Sequence, residues 1–576
     1  MRFDRLEMNP AKSPGVLDTA TWDRRAAVRT FEALSGEYLE RLGLAAKAGA
    51  GFPDDPRLIA YPGSVAAKDG RCVLLAGLAD GQHVFVEFVP EGAATVLEDA
   101  IASVTLAGSA RVVCHAATSA TVHAYGRRVK PGKGPAALGA TPRLGIGVRM
   151  TTACWPGIFA AMAKKGFAAN PIQNSIRELN VMSTLLKAEP PEKNYACGFG
   201  TIECGYTGSS FEGLWLSGVL EAIKSPQALR YGADADHIQV KRGPEGMARA
   251  KRYLDCARYY TFYTLDMADV LDYGAANEPS EARAAALLAE RIPDEKRRCE
   301  IVAYHREGRR IGGREYRPDE AALGRLIGKH WQSLHAIEEL TAHIRSGKDG
   351  EAFDLELSID EHPPEIAAFD CLTGDEELTF LCLEIRRRGL AVTHVAPNFG
   401  VEKGLDYRCP DGLEGFERRI RSQFRIAEEF GLLLDFHSGD DLSGGPRRVI
   451  QKATGGRHQF KISPMVQIIF AEVLQDFEPD LFAEWWADAL AYARREAEGG
   501  AEFARACLDE YEQDPQRTAL AKTKVFHHYS FAFVGRRDAE GRFIYRERFY
   551  DLSKGFYQAY TDRLTGYLGM LADELF

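Results

Sequence analysis

The sequence lacks the features that mark several large classes of protein. Its 576 residues contain no apolar run on the order of 20 residues, the length that crosses a bilayer. Basic residues are not in excess, since the formal net charge is −10 and the isoelectric point is near 5.9. No Gly-rich dinucleotide fingerprint is present to hold a nicotinamide cofactor. We therefore expect no membrane partner and no nucleic-acid partner.

The cysteines and the first residues indicate the compartment. Eleven cysteines are scattered along the chain, and no two form a Cys-x-x-Cys pair. Cys197 and Cys204 flank a Gly-rich turn but lack the spacing of a zinc site. The first twelve residues, MRFDRLEMNPAK, are charged from the second position and contain no apolar segment of a signal peptide. We expect reduced, mostly buried thiols in a cytoplasmic protein.

The second half of the chain alternates short β-prone runs with amphipathic helical segments. Gly389 and Gly431 each stop a helix just before the next strand. Predicted strands cover Phe353–Ile359, Leu390–Val395, Leu432–His437 and Gln459–Ile462, and predicted helices cover Asp375–Arg388 and Leu413–Phe430. The first three strands should be parallel neighbours, because the helices between them suit right-handed crossovers. With the earlier units, this pattern predicts an α/β fold built on a (β/α)8 TIM-type barrel.

Changes in composition and hydrophobic pattern along the sequence predict three regions. Residues 1–140 form an N-terminal α/β extension, in which Asp80–Gly81 has the character of a hairpin turn. Residues 141–478 form the catalytic barrel, with a charged helical insertion around residues 273–348. Residues 479–576 form a C-terminal helical region that packs on the outside of the barrel.

The stretch LLLDFHSGDD, Leu432–Asp441, places polar residues where a buried strand ends. Alternation along the strand puts Asp435 and His437 on one face and Leu434 and Phe436 on the other. Strand ends carry the chemistry of parallel α/β folds, so an Asp and a His there suit a ligand site. The alternative is a core Asp–His pair that is only hydrogen-bonded, although strongly polar residues are seldom buried without a task.

Two further strand ends carry carboxylates. In FDLELSIDE, Leu355 and Leu357 share one face while Glu356 and Asp360 share the other, so Asp360 should point into the top of the barrel. Glu361 then begins the loop. The run YGADADH adds three more polar side chains, those of Asp234, Asp236 and His237. Carboxylates and imidazoles that converge on one mouth suit a divalent metal such as Zn²⁺, Mn²⁺ or Ni²⁺.

Several other polar residues allow two interpretations each. Lys403 and Asp406 lie in the loop VEKGLDY, where they could hold an anionic substrate or form a solvated ion pair. Lys461 follows a Gly–Gly turn on a strand, and a lysine that points into a barrel needs a partner for its charge. His394 lies at a strand end with no clear direction. His527, in the tail, is expected to be structural, as is its neighbour His528.

Nine motifs occur in the order typical of one enzyme family. They are GIGVRM, QNSIREL, YGADADH, TFYTLDMADVLD, LELSIDE, RRRG, VEKGLDY, FHSGDD and ATGGRHQFK. Between about Arg143 and Leu474 the sequence resembles the tagaturonate/fructuronate epimerase family, with weaker similarity around FHHYSF in the tail and little in the N-terminal region. The resemblance implies a TIM-type barrel, a divalent metal and the epimerisation of a keto-hexuronate, a small sugar acid. A homo-oligomer is compatible with it.

The resemblance also suggests roles for individual residues. The predicted metal ligands are His237, Asp360, Glu361 and His437. The predicted acid/base residues are Asp236, Asp441 and Glu361. The predicted substrate-binding residues are Arg149, Arg177, Lys403, Asp406, Gln459 and Lys461.

Four positions depart from the pattern of that family. Val148 replaces an Asp, and Gln239 and Leu442 replace lysines. Gln459 falls where the family has a metal-facing His, with His458 displaced by one residue onto the other face. These departures keep two alternatives open: another metal-dependent isomerase or aldolase of a sugar or sugar acid, and a sugar-binding homologue without catalysis.

The reaction of that family constrains the chemistry. The epimerised carbon is β to the ketone, so the carbonyl does not acidify its C–H bond, and removal of that proton by one base is not enough. A retro-aldol route is physically reasonable: a base takes the proton of the β-hydroxyl, the C–C bond breaks, the aldehyde turns, and the bond forms again.

Overall fold

The computed structural model describes most of the chain. Described in full are residues 23–107, 109–148, 152–175, 178–187, 189–190, 205, 207–361, 366–539 and 541–576. The backbone is also described for two short strand pairs, at Arg2–Phe3 with Leu6–Glu7 and at Lys193–Ala196 with Gly200–Glu203.

Eight parallel strands close into a barrel. In chain order, and numbered β1 to β8, they are Arg143–Gly147, Ala168–Ser175, Tyr231–Gln239, Phe262–Asp266, Asp354–Ser358, His394–Ala396, Leu433–Phe436 and His458–Ile462. Each strand pairs with its neighbours in sequence, and β8 pairs with β1. The prediction of a (β/α)8 TIM-type barrel is therefore confirmed, as is the parallel order of β5, β6 and β7.

Side-chain alternation follows the sequence pattern. Leu355 and Leu357 of β5 are buried in the core between the strands and the outer helices, whereas Glu356 faces the barrel interior. In β7, Leu434 and Phe436 face outwards while Asp435 faces Lys461 inside the barrel. The apolar side chains of these strands thus pack against the helix layer, and the polar side chains face the barrel interior.

Helices surround the barrel and decorate it. Those on its outside are Cys154–Lys165, Met182–Leu186, Phe211–Lys224, Pro244–Cys256, Asp375–Arg388, Gly412–Glu429, Gly444–Thr454 and Pro464–Phe477. The stretch after β4 contains Tyr273–Ala276, Glu281–Arg291, Glu295–Arg306 and Glu320–Gly347, and a small hairpin of Arg309–Ile311 with Arg314–Tyr316. Gly389 ends its helix in the left-handed region, with φ of 62°, as its place before a strand indicates. The strand expected at Leu390–Val395 pairs only from His394, so β6 is shorter than predicted.

The N-terminal part forms an antiparallel sheet with helices against one face. Its strands are Leu58–Ala60, Ala66–Lys68, Arg71–Leu78, His83–Val89, Ala100–Thr105 and Arg111–Ala116. Helices Arg24–Glu32 and Gly36–Ala48 pack on it, and a short helix at Ser119–Ala124 leads towards the barrel. Gly81, with φ of 87°, makes the hairpin turn that the sequence predicts. The boundary at residue 140 stays a prediction.

The C-terminal part is helical and packs on the barrel. Its helices are Pro479–Glu498, Glu502–Gln513, Lys524–Tyr529 and Lys554–Leu575. The Tyr560 hydroxyl donates to the Val466 carbonyl at 3.0 Å. Gly157 packs closely against Leu564, since a Cβ on that glycine would lie 3.1 Å from the leucine side chain. The nine cysteines of the described residues are free thiols, and seven are buried. Among the described residues, no helix is both long and apolar enough to cross a membrane.

The lower end of the barrel is closed by a buried ion pair. Arg143 donates to Asp354 at 3.0 Å, and both side chains are excluded from solvent. Asp354 also accepts from the backbone N–H groups of Leu138 and Gly139, at 2.8 and 3.0 Å. Because this end is filled, a small molecule can enter only at the opposite end, where the carboxyl ends of the strands lie.

Candidate active site

A buried ammonium lies in the middle of the barrel. Lys461 on β8 is only 3 % exposed, and its Nζ donates to Thr264 Oγ1 at 2.7 Å and to Asp236 Oδ1 at 2.9 Å. It also lies 2.8 Å from Glu356 Oε2. Two further carboxylates, those of Asp234 and Asp435, each come within 3.5 Å of it. Two of these three short contacts are hydrogen bonds, and the third is an ion pair.

Lys461 and the carboxylates around it form a layer of charged groups that shift one another's pKa values. Burial alone would lower the pKa of Lys461, but the surrounding carboxylates hold it well above its usual value. Burial raises the pKa of Asp234 to about 7, and burial with Glu356 nearby raises that of Asp435 well above its usual range. Asp236 is also buried, but the charges of His237 and Lys461 outweigh this and lower its pKa to about 2. Asp236 is therefore held ionised beside the lysine.

His437 lies one step above this layer. Its Nε2 is 2.8 Å from Glu356 Oε1, and its Nδ1 is 3.0 Å from Asp360 Oδ2. Asp360 is in turn held by the Ser358 hydroxyl, which donates to its other oxygen at 2.8 Å. The chain turns immediately after His437, because Ser438 adopts a left-handed conformation with φ of 55°. Each ring nitrogen of His437 thus lies beside a carboxylate oxygen.

A second histidine and two carboxylates form a ligand-like group at the mouth. His237, Asp266 and Glu361 each offer one donor atom, and these atoms all lie within 4.8 Å of one another. His237 has φ of 51°, an uncommon value for a residue with a side chain, which turns its ring toward the mouth. That ring lies 4.9 Å from the ring of His437, nearly perpendicular to it. Glu356, Asp435 and His437 form a second such group, but Lys461 already lies against its two carboxylates.

The upper group fits a divalent metal. One imidazole and two carboxylates are ligands that Zn²⁺, Mn²⁺ and Ni²⁺ accept. The Nδ1 atom of His237 is buried and has no hydrogen-bond partner among the described residues, although Asp266 Oδ2 lies 3.5 Å away. A buried polar atom of this kind is expected to have a partner, and a shared cation would supply one.

A loop covers one side of the mouth. Lys403 on this loop forms an ion pair with Glu361. The next residue, Gly404, donates its backbone N–H to Asp441 Oδ2 at 2.8 Å, and Asp441 Oδ1 lies 3.6 Å from His527 Nε2 of the C-terminal part. A cavity of about 180 Å³ lies beneath the loop and is lined by Asp360, Glu361, Lys403 and His437, among others.

The sequence of this barrel and its flanking regions matches a known enzyme family. A family model described as tagaturonate epimerase matches residues 127–571, which is most of the chain. The chain belongs to the tagaturonate epimerase family. The predicted family is thereby confirmed, and with it a relationship to enzymes named as epimerases.

Relatives of this epimerase family agree in sequence and in shape. A tagaturonate/fructuronate epimerase of Thermotoga maritima is 31% identical over 268 residues, covering 44% of this chain and 48% of the relative. The alignment thus spans about half the length of that relative. The native crystal structure of fructuronate-tagaturonate epimerase from Cohnella laeviribosi has a TM-score of 0.65 at 20% identity, covering 93% of this chain and 99% of that one. The crystal structure of its complex with one glycerol has a TM-score of 0.64 at 20% identity, covering 90% of this chain and 96% of that one. At this identity the crystal structures support the shared fold.

The structure brings many residues predicted from the tagaturonate epimerase pattern to one place. Those that lie around the mouth or the layer beneath it are Asp236, His237, Asp360, Glu361, Lys403, His437 and Lys461. Asp441 and Asp406 lie beside the loop. Asp406 accepts from the backbone N–H groups of Tyr407 and Ser443, at 2.8 and 2.9 Å, and so fixes the loop's shape. Arg149 and Arg177 lie outside the described residues.

The positions that depart from the tagaturonate epimerase pattern are buried. Val148 and Leu442 are part of the main apolar core. Gln459 is fully buried inside the barrel beside Asp435, and its amide has no hydrogen-bond partner among the described residues. His458 points the other way: its Nδ1 lies 2.8 Å from Thr454 Oγ1 and its ring stacks on Phe576. His458 therefore lies on the other face of β8, as the sequence predicts.

Sequence reasoning missed Asp266 and left the direction of His394 open. Asp266 ends β4 and follows the same rule that indicates Asp360, so its position in TFYTLDM was a usable signal. His394 faces the barrel interior, where its ring lies 4.8 Å from that of Phe262 and its Nδ1 is 2.8 Å from the Thr393 hydroxyl. Burial and the nearby Arg143 hold its pKa well below the usual value, which suits a neutral structural residue.

Proposed function

We propose that the protein is a metal-dependent epimerase that interconverts keto-hexuronates of the tagaturonate and fructuronate type. The observation that carries this proposal is the group His237, Asp266 and Glu361 at the open end of the barrel, beside a small cavity. Family membership supplies the reaction class, and the site supplies groups suited to it. The curated relative, named a tagaturonate/fructuronate epimerase, supports the choice of substrates.

The metal would be held by His237, Asp266 and Glu361, with His437 and Asp360 next to it. When bound, a divalent cation supplies a Lewis acid that polarises carbonyl and hydroxyl oxygens of a keto acid. Lys461 remains bound to Asp236 and Glu356 in the layer below. We therefore assign Lys461 to balancing the buried carboxylates and not to holding the substrate's own carboxylate.

Glu361 is our choice for proton transfer in the retro-aldol route. Of the three acid/base residues predicted from the sequence, Glu361 lines the cavity. Asp236 is a weak base because its pKa is about 2, far below the working pH. Asp441 accepts the backbone N–H of Gly404 and thereby holds the loop. Glu361 would take the proton of the β-hydroxyl as the C–C bond breaks and return it after the aldehyde has turned.

The size and charge of the cavity suit a small sugar acid. Its volume of about 180 Å³ is below the range of roughly 300–1,000 Å³ that drug-sized ligands occupy. Lys403 and Arg408 line it, and a substrate carboxylate would replace the glutamates, Glu361 and Glu402, that pair with them. Arg149 and Arg177 stay predictions for the same role. Cytoplasmic location and a homo-oligomer also stay predictions, which cell fractionation and light scattering would test.

The proposal is tested by turnover with defined metals. Purified protein is stripped with a chelator, reloaded with Zn²⁺, Mn²⁺ or Ni²⁺, and mixed with tagaturonate while fructuronate formation is followed by NMR. We expect turnover only after reloading. In D₂O the epimerised carbon should keep its hydrogen, because the retro-aldol route never breaks that C–H bond. Incorporation of deuterium at that carbon would refute the route, and failure to convert either acid with every metal would refute the function.

The second function is a metal-dependent isomerase or aldolase of another sugar acid. The buried apolar residues Val148 and Leu442 favour it, because they stand where the family pattern has charged residues. A panel of keto sugar acids of different length and configuration separates the two functions. Faster conversion of another acid than of tagaturonate would favour the second.

A further inference from the structure

We infer that the C-terminal helical part forms one wall of the substrate site and that Phe503 limits the length of sugar acid that fits. This inference rests on the proposed function, since it concerns the substrate class of the same site. Phe503 belongs to helix Glu502–Gln513, which lies outside the barrel in sequence and yet reaches its mouth. Nothing in the strand-end pattern of the sequence indicates this residue.

The cavity is bounded by two different parts of the chain. Asp360, Glu361 and His437 line it from the barrel, and Phe503 lines it from the C-terminal part. The barrel side carries charged residues, among them the proposed metal ligand Glu361, together with apolar ones such as Phe399, and the Phe503 ring adds an apolar wall from outside the barrel. A substrate held by its oxygens on the charged side would therefore have its remaining carbons directed towards other walls, of which the ring is one.

Contacts around Gly404 hold the ring in place. A Cβ on Gly404 would lie 2.9 Å from the Phe503 ring and 2.8 Å from Cε1 of His528, so loop and ring are closely packed. Gly404 also has φ of 80°, a conformation that a larger residue rarely adopts. The Phe503 ring also lies 5.1 Å from the His528 ring. Because its neighbours leave little freedom, Phe503 is expected to act as a fixed wall.

The chemistry of such a wall predicts selection by length. One additional or missing carbon group in a shaped pocket commonly changes the specificity constant by about 10-fold to 200-fold. The ring would exclude a seven-carbon keto acid while it contacts a six-carbon one. Removing the ring should weaken binding of the six-carbon acid and admit the longer acid.

The test uses Phe503→Ala, with Phe477→Ala as the matched control. Phe477 is 42 % exposed at the end of another helix, where it contacts Phe556 and does not line the cavity. Six-carbon tagaturonate and a seven-carbon keto acid are assayed for kcat and KM, and their Kd values are measured by calorimetry on the metal-loaded protein. Melting temperature and metal content are recorded for each variant.

We expect Phe503→Ala to raise KM and Kd for tagaturonate about 10-fold, with kcat within about 2-fold, and to reduce discrimination against the longer acid about 10-fold. Metal content should not change, and Phe477→Ala should behave as wild type. Unchanged discrimination in Phe503→Ala would overturn the inference. If wild type binds tagaturonate without converting it, the proposed function fails while the Kd ratios still decide the inference; if it binds neither acid, both fail.

Discussion

Replacement of Lys461 by Met removes the one ammonium that lies among four carboxylates. Methionine has a similar length, so the change leaves little empty space and isolates the loss of charge. In the wild type the ammonium makes three short contacts, with Thr264, Asp236 and Glu356. Without it, Asp236 and Glu356 are left as buried carboxylates whose main partner is missing. Loss of one partner of a buried ion pair commonly costs about 3–5 kcal/mol.

The same magnitude follows from proton binding. A buried carboxylate that loses its cation can become neutral by binding a proton. At pH 7 this costs about 4 kcal/mol for a group with an unfolded pKa near 4. At pH 5 that cost falls to about 1.4 kcal/mol. The raised pKa of Lys461 means that its contribution in the wild type is complete at any pH below about 10 and is lost only as pH rises further. The contribution of Lys461 should thus be the same at pH 5 and at pH 7, while the variant should lose stability relative to the wild type as pH rises.

Chemical denaturation in the presence of a chelator measures this effect without a metal contribution. We expect Lys461→Met to be destabilised by about 3–5 kcal/mol at pH 7 and by about 2.6 kcal/mol less than that at pH 5. The control is Lys522→Met, whose lysine is 74 % exposed and pairs with Glu472 at 2.8 Å. An exposed pair of this kind contributes about 1 kcal/mol or less. A Lys461→Met protein within about 1 kcal/mol of wild type at pH 7, or one without the pH trend, would refute the reasoning.

Three other predictions follow from the same structure. His437→Ala should weaken divalent metal binding and turnover while circular dichroism stays native, because His437 lies next to the three proposed ligands. Unchanged metal affinity and turnover in that variant would show that His437 takes no part in the site. The sequence predicts a metal-facing position for Gln459, but this residue pairs with Arg143 at the closed end of the barrel, two residues before Lys461 on the same strand. Gln459→His should therefore leave Zn²⁺ affinity unchanged in competition with a chromophoric chelator, and tighter binding would place the metal deeper in the barrel than the mouth. Glu377 is buried, which alone would raise its pKa, but His330 and Lys329 lower it to about 2. Its contribution is therefore present above its unfolded pKa and lost as pH falls, so wild type should lose about 3 kcal/mol more than Glu377→Gln between pH 5 and pH 2 in urea titrations.

The barrel could be predicted because local alternation and global architecture agree. Leu355 and Leu357 alternate with Glu356, and the closed barrel uses that alternation directly by placing the leucines under the helices. The extent of β6 could not be predicted, since the apolar run Leu390–Val395 says nothing about which residues pair with neighbouring strands. Pairing depends on the register of β5 and β7, which is a tertiary property.

The mouth of the barrel could be predicted only in part. Asp360, Glu361 and His437 follow strands, and the carboxyl ends of parallel strands meet at one end of a barrel. Phe503 lies 66 residues beyond His437 in a helical region, so only the packing of the C-terminal part reveals it. Thr264 looks like an ordinary strand residue until Lys461 is seen to donate to it.

Glu356 connects the two layers of polar residues in the barrel. Its Oε2 contacts Lys461 at 2.8 Å, and its Oε1 contacts His437 at 2.8 Å. A change in the charge of the lower layer must therefore alter the environment of His437, even though Lys461 does not line the cavity. This is why a substitution as deep as Lys461→Met should impair the proposed metal site as well as stability.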